Sequence, residues 1–327
     1  MCVAPLRCSI FLDVDDLEDI GNLEAYVGAT GVMLFFLSKK YFHSRNCLRE
    51  ISSSLEQDKP LVLVHEQQQD KGGAPLDVLK AECRDDEMRG KLFDGCVPIV
   101  WHRVSHYQNL TLKLIATEMF SQGPAYGSYY SKSELTLVLP GELDVSEMEL
   151  TKRAVLWCSA ANPGATAIAQ ELRSSKASGG AALHVVNSQP DAQTLQDNGE
   201  SAFMLLYLND KTWVEQGEAL ERDVRAARAG QPGVKIVMVH ENDRVKGGCE
   251  FGTFFGTTPQ SLINEGIYKE IAIALHTPPH RAVSLALVAQ ALGATKVKAK
   301  QRQATTSTLA SPASSSTLEQ DGTMADV

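Results

Sequence analysis

The sequence lacks the features that mark membrane, secreted or nucleic-acid-binding proteins. No apolar run reaches the roughly 20 residues of a membrane-spanning helix, and the N-terminus lacks the layout of a signal peptide. The net charge of -9 argues against nucleic acid as a partner. The seven cysteines are scattered without a Cys-x2-Cys pair, which disfavours a disulfide framework and a structural zinc site. We therefore predict a cytoplasmic protein without membrane insertion and without a metal ion.

Short apolar segments alternate with segments of helical periodicity. A chain of 327 residues is long enough for two domains of ordinary size. The apolar segments predict strands at 8–14, 31–38, 60–66 and 95–101, and helices are predicted at 16–27, 44–57 and 106–119. In the helix at 44–57, Leu48, Ile51 and Leu55 share one face, and Ser44 can cap its start. Near-continuous apolar strands separated by helices are typical of an α/β fold with a parallel sheet covered on both faces.

The first half of the chain is repeated in the second half. Three features recur in the same order: "GVMLFFLSKK" (31–40) matches "AFMLLYLNDK" (202–211), "PLVLVHEQQQDKGGAP" (60–75) matches "KIVMVHENDRVKGGCE" (235–250), and a His-x3-His sequence after a strand occurs at His102/His106 and again at His276/His280. Shared order and spacing indicate an internal duplication. Two copies make tandem domains rather than a solenoid, which needs at least three repeats.

The two copies are predicted to differ in extent. We place copy one at 1–120, a linker at 121–150, copy two at 151–293 and a disordered tail rich in Ser, Thr and Ala at 294–327. Copy two begins with an additional strand–helix unit at 153–175, ahead of a strand at 181–187, whereas copy one is expected to start inside its second strand. A sheet without its central strand has unpaired edges, and residues 134–140 are one candidate to fill the gap.

Several motifs of copy one occur in the order known from one protein family. With "FLDVDDLEDIG" (11–21), "VMLFFLS" (32–38) and S-x2-Y-x2-S-x-N-C-L-R-E-I (38–51), copy one resembles a Toll/interleukin-1 receptor-like (TIR) domain, although Asn46 stands where the family usually has tryptophan. Copy two resembles the family mainly through copy one. The resemblance implies a flavodoxin-like fold, a parallel sheet with its first strand in the centre and helices on both faces, duplicated here.

The resemblance implies two possible functions. Many relatives assemble with other TIR domains or with themselves in signalling, and the matching contact loop comprises Asp13, Asp15, Asp16, Glu18 and Asp19. Other relatives hydrolyse NAD as a substrate, with no separate cofactor. Glu50 stands at the position of their catalytic glutamate, and the substrate-binding positions match Ser38, Tyr41 and Cys47. One carboxylate can suffice because nicotinamide leaves as a neutral group, so no general acid is required.

The residues also leave simpler alternatives. A glutamate on the polar side of a helix, such as Glu50, is usually a solvated surface residue. In copy two, Glu221 or Asp223 aligns near Glu50, and the loop 159–166 can meet an anion or complete a composite site with Glu50. The His-x3-His sequences suggest zinc ligands or, more simply, strand-to-helix loops. A redox or flavin protein on the same fold is a third class of function.

Overall fold

The computed structural model of the chain describes residues 9–11, 20–124, 127, 135, 137–143, 145, 148–175, 182–229 and 234–296. The strands are β1 (Met33–Leu37), β2 (Leu61–His65), β3 (Ile99–Val100), β4 (Met148–Leu150), β5 (Ala154–Trp157), β6 (Leu183–Val186), β7 (Ser201–Leu208), β8 (Lys235–Glu241), β9 (Ile273–Leu275) and β10 (Ala294–Lys296). The helices are α1 (Leu23–Ala29), α2 (Arg45–Glu56), α3 (Leu76–Glu82), α4 (Asp86–Phe93), α5 (Ser105–Gln122), α6 (Ala165–Ser174), α7 (Ala192–Asp197), α8 (Gly217–Ala229), α9 (Phe254–Thr257), α10 (Gln260–Asn264) and α11 (Arg281–Ala291).

Copy two contains a complete flavodoxin-like sheet. Its strands are all parallel and lie in the order β6-β5-β7-β8-β9, so the first strand of the copy is flanked by the second and the third. The central strand β7 is buried on both faces because α6 and α11 pack against one face and α8 against the other. The predicted α/β class, with parallel strands and helices on both faces, is confirmed.

Copy one contains a smaller sheet of the same kind. Strands β1, β2 and β3 are parallel in that order, and they correspond to β7, β8 and β9 of copy two. The strands predicted at 31–38, 60–66 and 95–101 are therefore confirmed, although β3 is short. Residues 9–11 of the strand predicted at 8–14 have no regular structure, and its other residues lie outside the described part. Residues 137–139 of the proposed gap-filling segment are not in a strand either.

The helices of copy one follow the predicted apolar periodicity. Helix α2 begins after Ser44, whose Oγ accepts a hydrogen bond from the Cys47 amide at 3.4 Å, as predicted for a cap. Ile51 is fully buried on the inner face of α2. The helix predicted at 106–119 is α5, and the one predicted at 16–27 is α1, which starts later. Helices α3 and α4, between β2 and β3, are not predicted from the sequence.

A small antiparallel ribbon joins residues from both sides of copy two. Strand β4 pairs with β10, with Leu150 opposite Ala294 and Met148 opposite Lys296. Met148, Leu150 and Ala294 are buried in the same core cluster as α11. The last residues of the predicted linker and the first of the predicted tail thus belong to this ribbon, and the predicted disordered residues 297–327 lie outside the described part.

Candidate functional site

The residues implied by the TIR resemblance come from β1 and the segment after it. Ser38 follows β1 and accepts a backbone hydrogen bond from Tyr41 at 3.1 Å. The Tyr41 ring packs against Phe42, with ring centroids 5.5 Å apart. Glu50 and Cys47 lie on α2, and both are half-buried. The acidic residues Asp13, Asp15, Asp16, Glu18 and Asp19 lie outside the described residues.

The groove beside α2 does not contain these residues. A cavity of about 420 Å³ lies between α1 and α2, and its walls include Glu24, Arg45 and Arg49. Arg49 donates to both oxygens of Glu24, at 2.8 and 2.9 Å, so an ion pair forms part of the groove wall. None of Glu50, Ser38, Tyr41 and Cys47 lines it.

The burial pattern identifies the counterpart of Glu50 in copy two. Glu50 immediately precedes the buried Ile51, and Ser54 is buried three residues later. Asp223 likewise precedes the buried Val224, with the buried Ala227 three residues later. Asp223 rather than Glu221 is therefore the counterpart of Glu50. Glu221 instead accepts hydrogen bonds from Ser261 and Arg225, which lower its pKa.

The loop after β5 contacts Asp223 of its own copy. The Ser159 hydroxyl donates to Asp223 Oδ2 at 2.5 Å, and Ser159 Oγ accepts from the Ala161 amide at 3.0 Å. Asn162 donates to the backbone carbonyl of Tyr207 at 2.8 Å and accepts from its amide at 2.7 Å. These bonds fix the loop against β7 and occupy its polar groups. The loop and a carboxylate at the Glu50 position thus meet within copy two.

A buried ion-pair network lies behind that loop. Arg281 donates to both oxygens of Glu171, at 2.8 and 2.9 Å, and to both oxygens of Glu241, at 2.9 Å each. Glu241 is fully buried and also accepts from the Tyr207 hydroxyl at 3.0 Å. The Arg281 hydrogen bonds lower the pKa of Glu171 to about 2, against the opposing effect of burial. The network ties α6, β8 and α11 together, so its role is structural.

Copy one contains a reduced version of this network. Glu66, the match of Glu241, is also buried and accepts from Arg103 at 2.6 Å. Each glutamate also accepts a hydrogen bond at 2.9 Å from the backbone amide two residues later, Gln68 for Glu66 and Asp243 for Glu241. The matched His-Glu segments therefore end a strand and fix the loop after it.

The His-x3-His sequences lie where the copies meet. The His102 ring stands 4.4 Å from the His276 ring and 4.2 Å from the His280 ring, measured between centroids. The Tyr107 hydroxyl donates to the Ala274 carbonyl of copy two at 2.7 Å, and Thr111 Oγ1 lies 3.1 Å from His280 Nε2. Burial, followed by the neighbouring imidazoles, lowers the pKa of His102 to about 3 and that of His276 to about 4. These imidazoles are therefore neutral near pH 7.

The same residues border a cleft of about 1020 Å³ with walls from both copies, including Gln68, His102, Asn242 and His276. His102 lies two residues after β3 and His276 directly follows β9, and each precedes a helix, which confirms the interpretation as strand-to-helix connections. No group of three or more His, Cys, Asp or Glu residues in the described ranges is arranged to hold a metal ion.

Strand β1 has an open edge. Met33 donates to the Pro60 carbonyl and Leu37 accepts from Glu66, so the backbone groups of alternate residues point toward β2. The backbone N–H and C=O groups of Leu34 and Phe36 point away from β2. In the described part of the chain, no second strand pairs with β1 on that side. Both side chains are 39% exposed, whereas their counterparts Leu205 and Tyr207 are 0% and 3% exposed.

Copy two shows what covers this face in a complete sheet. Strand β5 pairs with the beginning of β7, Asn162 bonds both backbone groups of Tyr207, and α6 packs over Leu205 and Tyr207. No equivalent of β5 or α6 is found among the described residues of copy one. Sequence alone does not single out Leu34 and Phe36, because an uninterrupted apolar run predicts burial on both faces.

Asn162, Tyr107 and Arg281 are likewise not identified from the sequence, since single polar residues carry no signal of their distant partners. No helix in the described residues is long and apolar enough to cross a membrane. Comparisons of the chain with protein-family models, with curated proteins and with solved structures find no match.

Proposed function

We propose that this chain is a cytoplasmic TIR-like signalling protein that acts by association rather than by turnover of NAD. The observation that carries the proposal is the outer edge of β1, where two exposed apolar side chains stand beside backbone groups that pair with no other described strand. An edge of this kind binds other chains unless it is blocked by charge, proline or a covering element. Leu34 and Phe36 provide no such block, and the Phe36 ring contacts Trp101 at 5.7 Å to extend the apolar surface.

The position of the two carboxylates supports the same proposal. Glu50 lies in the copy without a described strand and loop beside β1, where relatives are expected to bind the nucleotide. Asp223 lies beside such a loop, but it is one methylene shorter and already accepts the Ser159 hydroxyl. The residues at the matched positions of Ser38 and Tyr41 are Asn209 and Thr212, which bond to each other rather than facing a ligand. Among the described residues, neither copy combines all the groups that hydrolysis is expected to need.

NAD consumption tests the proposal directly. Purified full-length chain is incubated with NAD, and nicotinamide release is followed for the wild type, Glu50→Ala and Asp223→Ala. We expect no release above that of buffer in any of the three. Release that disappears in Glu50→Ala would make the chain an NAD hydrolase, and release that disappears only in Asp223→Ala would place the reaction in copy two.

A further inference from the structure

The cleft between the two copies lies at the carboxyl ends of both sheets. Gln68 and His102 stand two or three residues beyond the ends of β2 and β3, and Asn242 and His276 directly follow β8 and β9. In open parallel sheets, ligands bind in the crevice at this end of the strands. The volume of about 1020 Å³ is enough for a small organic molecule and the water around it. The cleft therefore has the place and the size of a small-molecule site.

The wall of the cleft contains two charged side chains that pair with no described residue. Arg244 and Glu250 lie on the loop after β8, both are exposed, and neither side chain forms a hydrogen bond or an ion pair within the described part of the chain. The third charged residue of the described wall, Glu118, accepts a hydrogen bond from Gln122 of its own helix at 3.2 Å. The loop after β8 thus offers a ligand one cationic and one anionic group.

The loop that carries both charges is held in place. The residue before Arg244 donates its backbone amide hydrogen to the buried Glu241 at 2.9 Å. The residue before Glu250 accepts a hydrogen bond at its carbonyl from His240 Nε2 at 2.8 Å. Both charged residues are therefore anchored through a neighbour. A fixed loop reduces the entropy that is lost when a ligand pairs with both groups.

The rest of the wall supplies neutral polar groups and apolar side chains. His102 is only 7% exposed, its ring makes no hydrogen bond to a described residue, and it lines the cleft beside His276. Burial lowers the pKa of both imidazoles, so near pH 7 they are neutral and can each donate and accept a hydrogen bond. Ile99, Leu114 and Phe251 form an apolar part of the wall. A ligand that matches this wall carries one positive group, one negative group and an apolar body.

We propose that the cleft binds a free amino acid with an apolar side chain. The carboxylate of the ligand pairs with Arg244, its ammonium group pairs with Glu250, and its side chain contacts the apolar part of the wall. A ligand with a single charge would leave one of the two residues unpaired and would lose one of two charge-assisted hydrogen bonds. A metal ion fits less well, since no group of three or more His, Cys, Asp or Glu residues in the described ranges can hold one. This site goes beyond the proposed function and does not depend on it.

Isothermal titration calorimetry of the full-length chain with L-leucine tests the proposal. We expect saturable binding of L-leucine. L-leucinamide lacks the carboxylate and N-acetyl-L-leucine lacks the ammonium group, so each should bind about tenfold more weakly or worse. Arg244→Gln should weaken the binding of L-leucine by about tenfold but leave that of L-leucinamide unchanged. Glu250→Gln should weaken the binding of L-leucine similarly and leave that of N-acetyl-L-leucine unchanged.

The matched controls are Arg222→Gln and Glu218→Gln. Both residues are exposed on α8 and do not line the cleft, so the affinity for L-leucine should not change in either variant. All four replaced side chains are exposed, so the variants should fold like the wild type, which urea unfolding checks. The proposal is overturned if L-leucine shows no saturable binding, if it binds no better than L-leucinamide, or if Arg244→Gln behaves like Arg222→Gln.

The imidazole resonances locate the bound ligand. Addition of L-leucine should shift the ring signals of His102 and His276 in the NMR spectrum of the full-length chain, because both rings line the cleft. The ring signals of His184, which is exposed on β6 and does not line the cleft, should stay in place. Saturable binding that leaves the His102 and His276 signals unshifted would place the ligand elsewhere and overturn the proposal.

Discussion

Replacing Arg281 by methionine should destabilise copy two more than any comparable change of a charged side chain in copy one. Arg281 is 7% exposed and is the ionic partner of the fully buried Glu241. Removing one partner of a buried ion pair leaves an uncompensated charge, which costs about 3–5 kcal/mol. The matched change is Arg103→Met, where the arginine side chain is 42% exposed and makes one bond to Glu66. Water can replace that bond, so we expect a loss of no more than about 2 kcal/mol.

Equilibrium unfolding in urea measures both losses. Trp157 and Trp213 lie in copy two and Trp101 in copy one, so a Trp101→Phe background reports copy two for Arg281→Met, and a background with Trp157→Phe and Trp213→Phe reports copy one for Arg103→Met. Glu241→Gln combined with Arg281→Met should recover part of the loss because it removes the unpaired charge. The reasoning is refuted if Arg281→Met costs no more than Arg103→Met, or if the double variant is no more stable than Arg281→Met.

The same network predicts a dependence of stability on pH. Arg281 lowers the pKa of Glu171 from 4.5 to about 2 in the folded chain. A lowered carboxyl pKa stabilises the fold above the unfolded pKa, and the contribution is lost as the pH falls from 4.5 through 2. The unfolding free energy of the wild type should therefore fall across this range. In Arg281→Met the decrease should be smaller, which urea unfolding at a series of pH values measures.

Three further changes test other contacts. Gly164→Ala should cost more than Gly199→Ala in urea unfolding: both glycines have positive φ, but a Cβ at Gly164 would lie 2.7 Å from the Tyr207 ring, and one at Gly199 meets nothing within 4 Å. Asn162→Ala should cost roughly 1–3 kcal/mol, because the buried amide of Tyr207 loses its partner while its carbonyl keeps the hydrogen bond from Thr212 Oγ1. Burial lowers the pKa of His102 from 6.5 to about 3, so the unfolded chain binds more protons between these values and stability falls as the pH drops. His102→Gln should flatten that pH dependence, and an unchanged slope would contradict the assignment.

The sequence predicts those parts of the structure that depend on neighbouring residues. The apolar runs locate β1, β2, β7 and β8, and the Ser44 cap and the Ile51 face locate α2, because both signals lie within a few turns of chain. The ribbon of β4 and β10 is missed since each strand is three residues long, too short for an alternating pattern. The exposure of Leu34 cannot be read from an apolar run, because it depends on which elements lie above β1.

The site is predictable to a similar depth. Motif order predicts Ser38, Tyr41, Cys47 and Glu50 as site residues; in the structure Cys47 and Glu50 lie on α2, and none of the four lines the groove beside it. The pairing of Ser159 with Asp223 joins residues 64 positions apart, and no spacing rule in the sequence connects them. The choice between Glu221 and Asp223 requires the burial of Val224, which is a property of the packed helix rather than of the alignment.

The contact between the two copies depends on a difference at one matched position. Tyr107 and Arg281 each directly follow the second histidine of a His-x3-His sequence. Tyr107 reaches across to Ala274 of the other copy, whereas Arg281 turns inward to Glu171 and Glu241 of its own. A symmetric dimer of identical subunits must place the same residue on both sides of its interface. Joining the copies in one chain removes that constraint. At the matched positions, Tyr107 can therefore contact the other domain while Arg281 stabilises its own. Covalent linkage also keeps the effective concentration of each copy high, so a few such contacts are enough to hold them together.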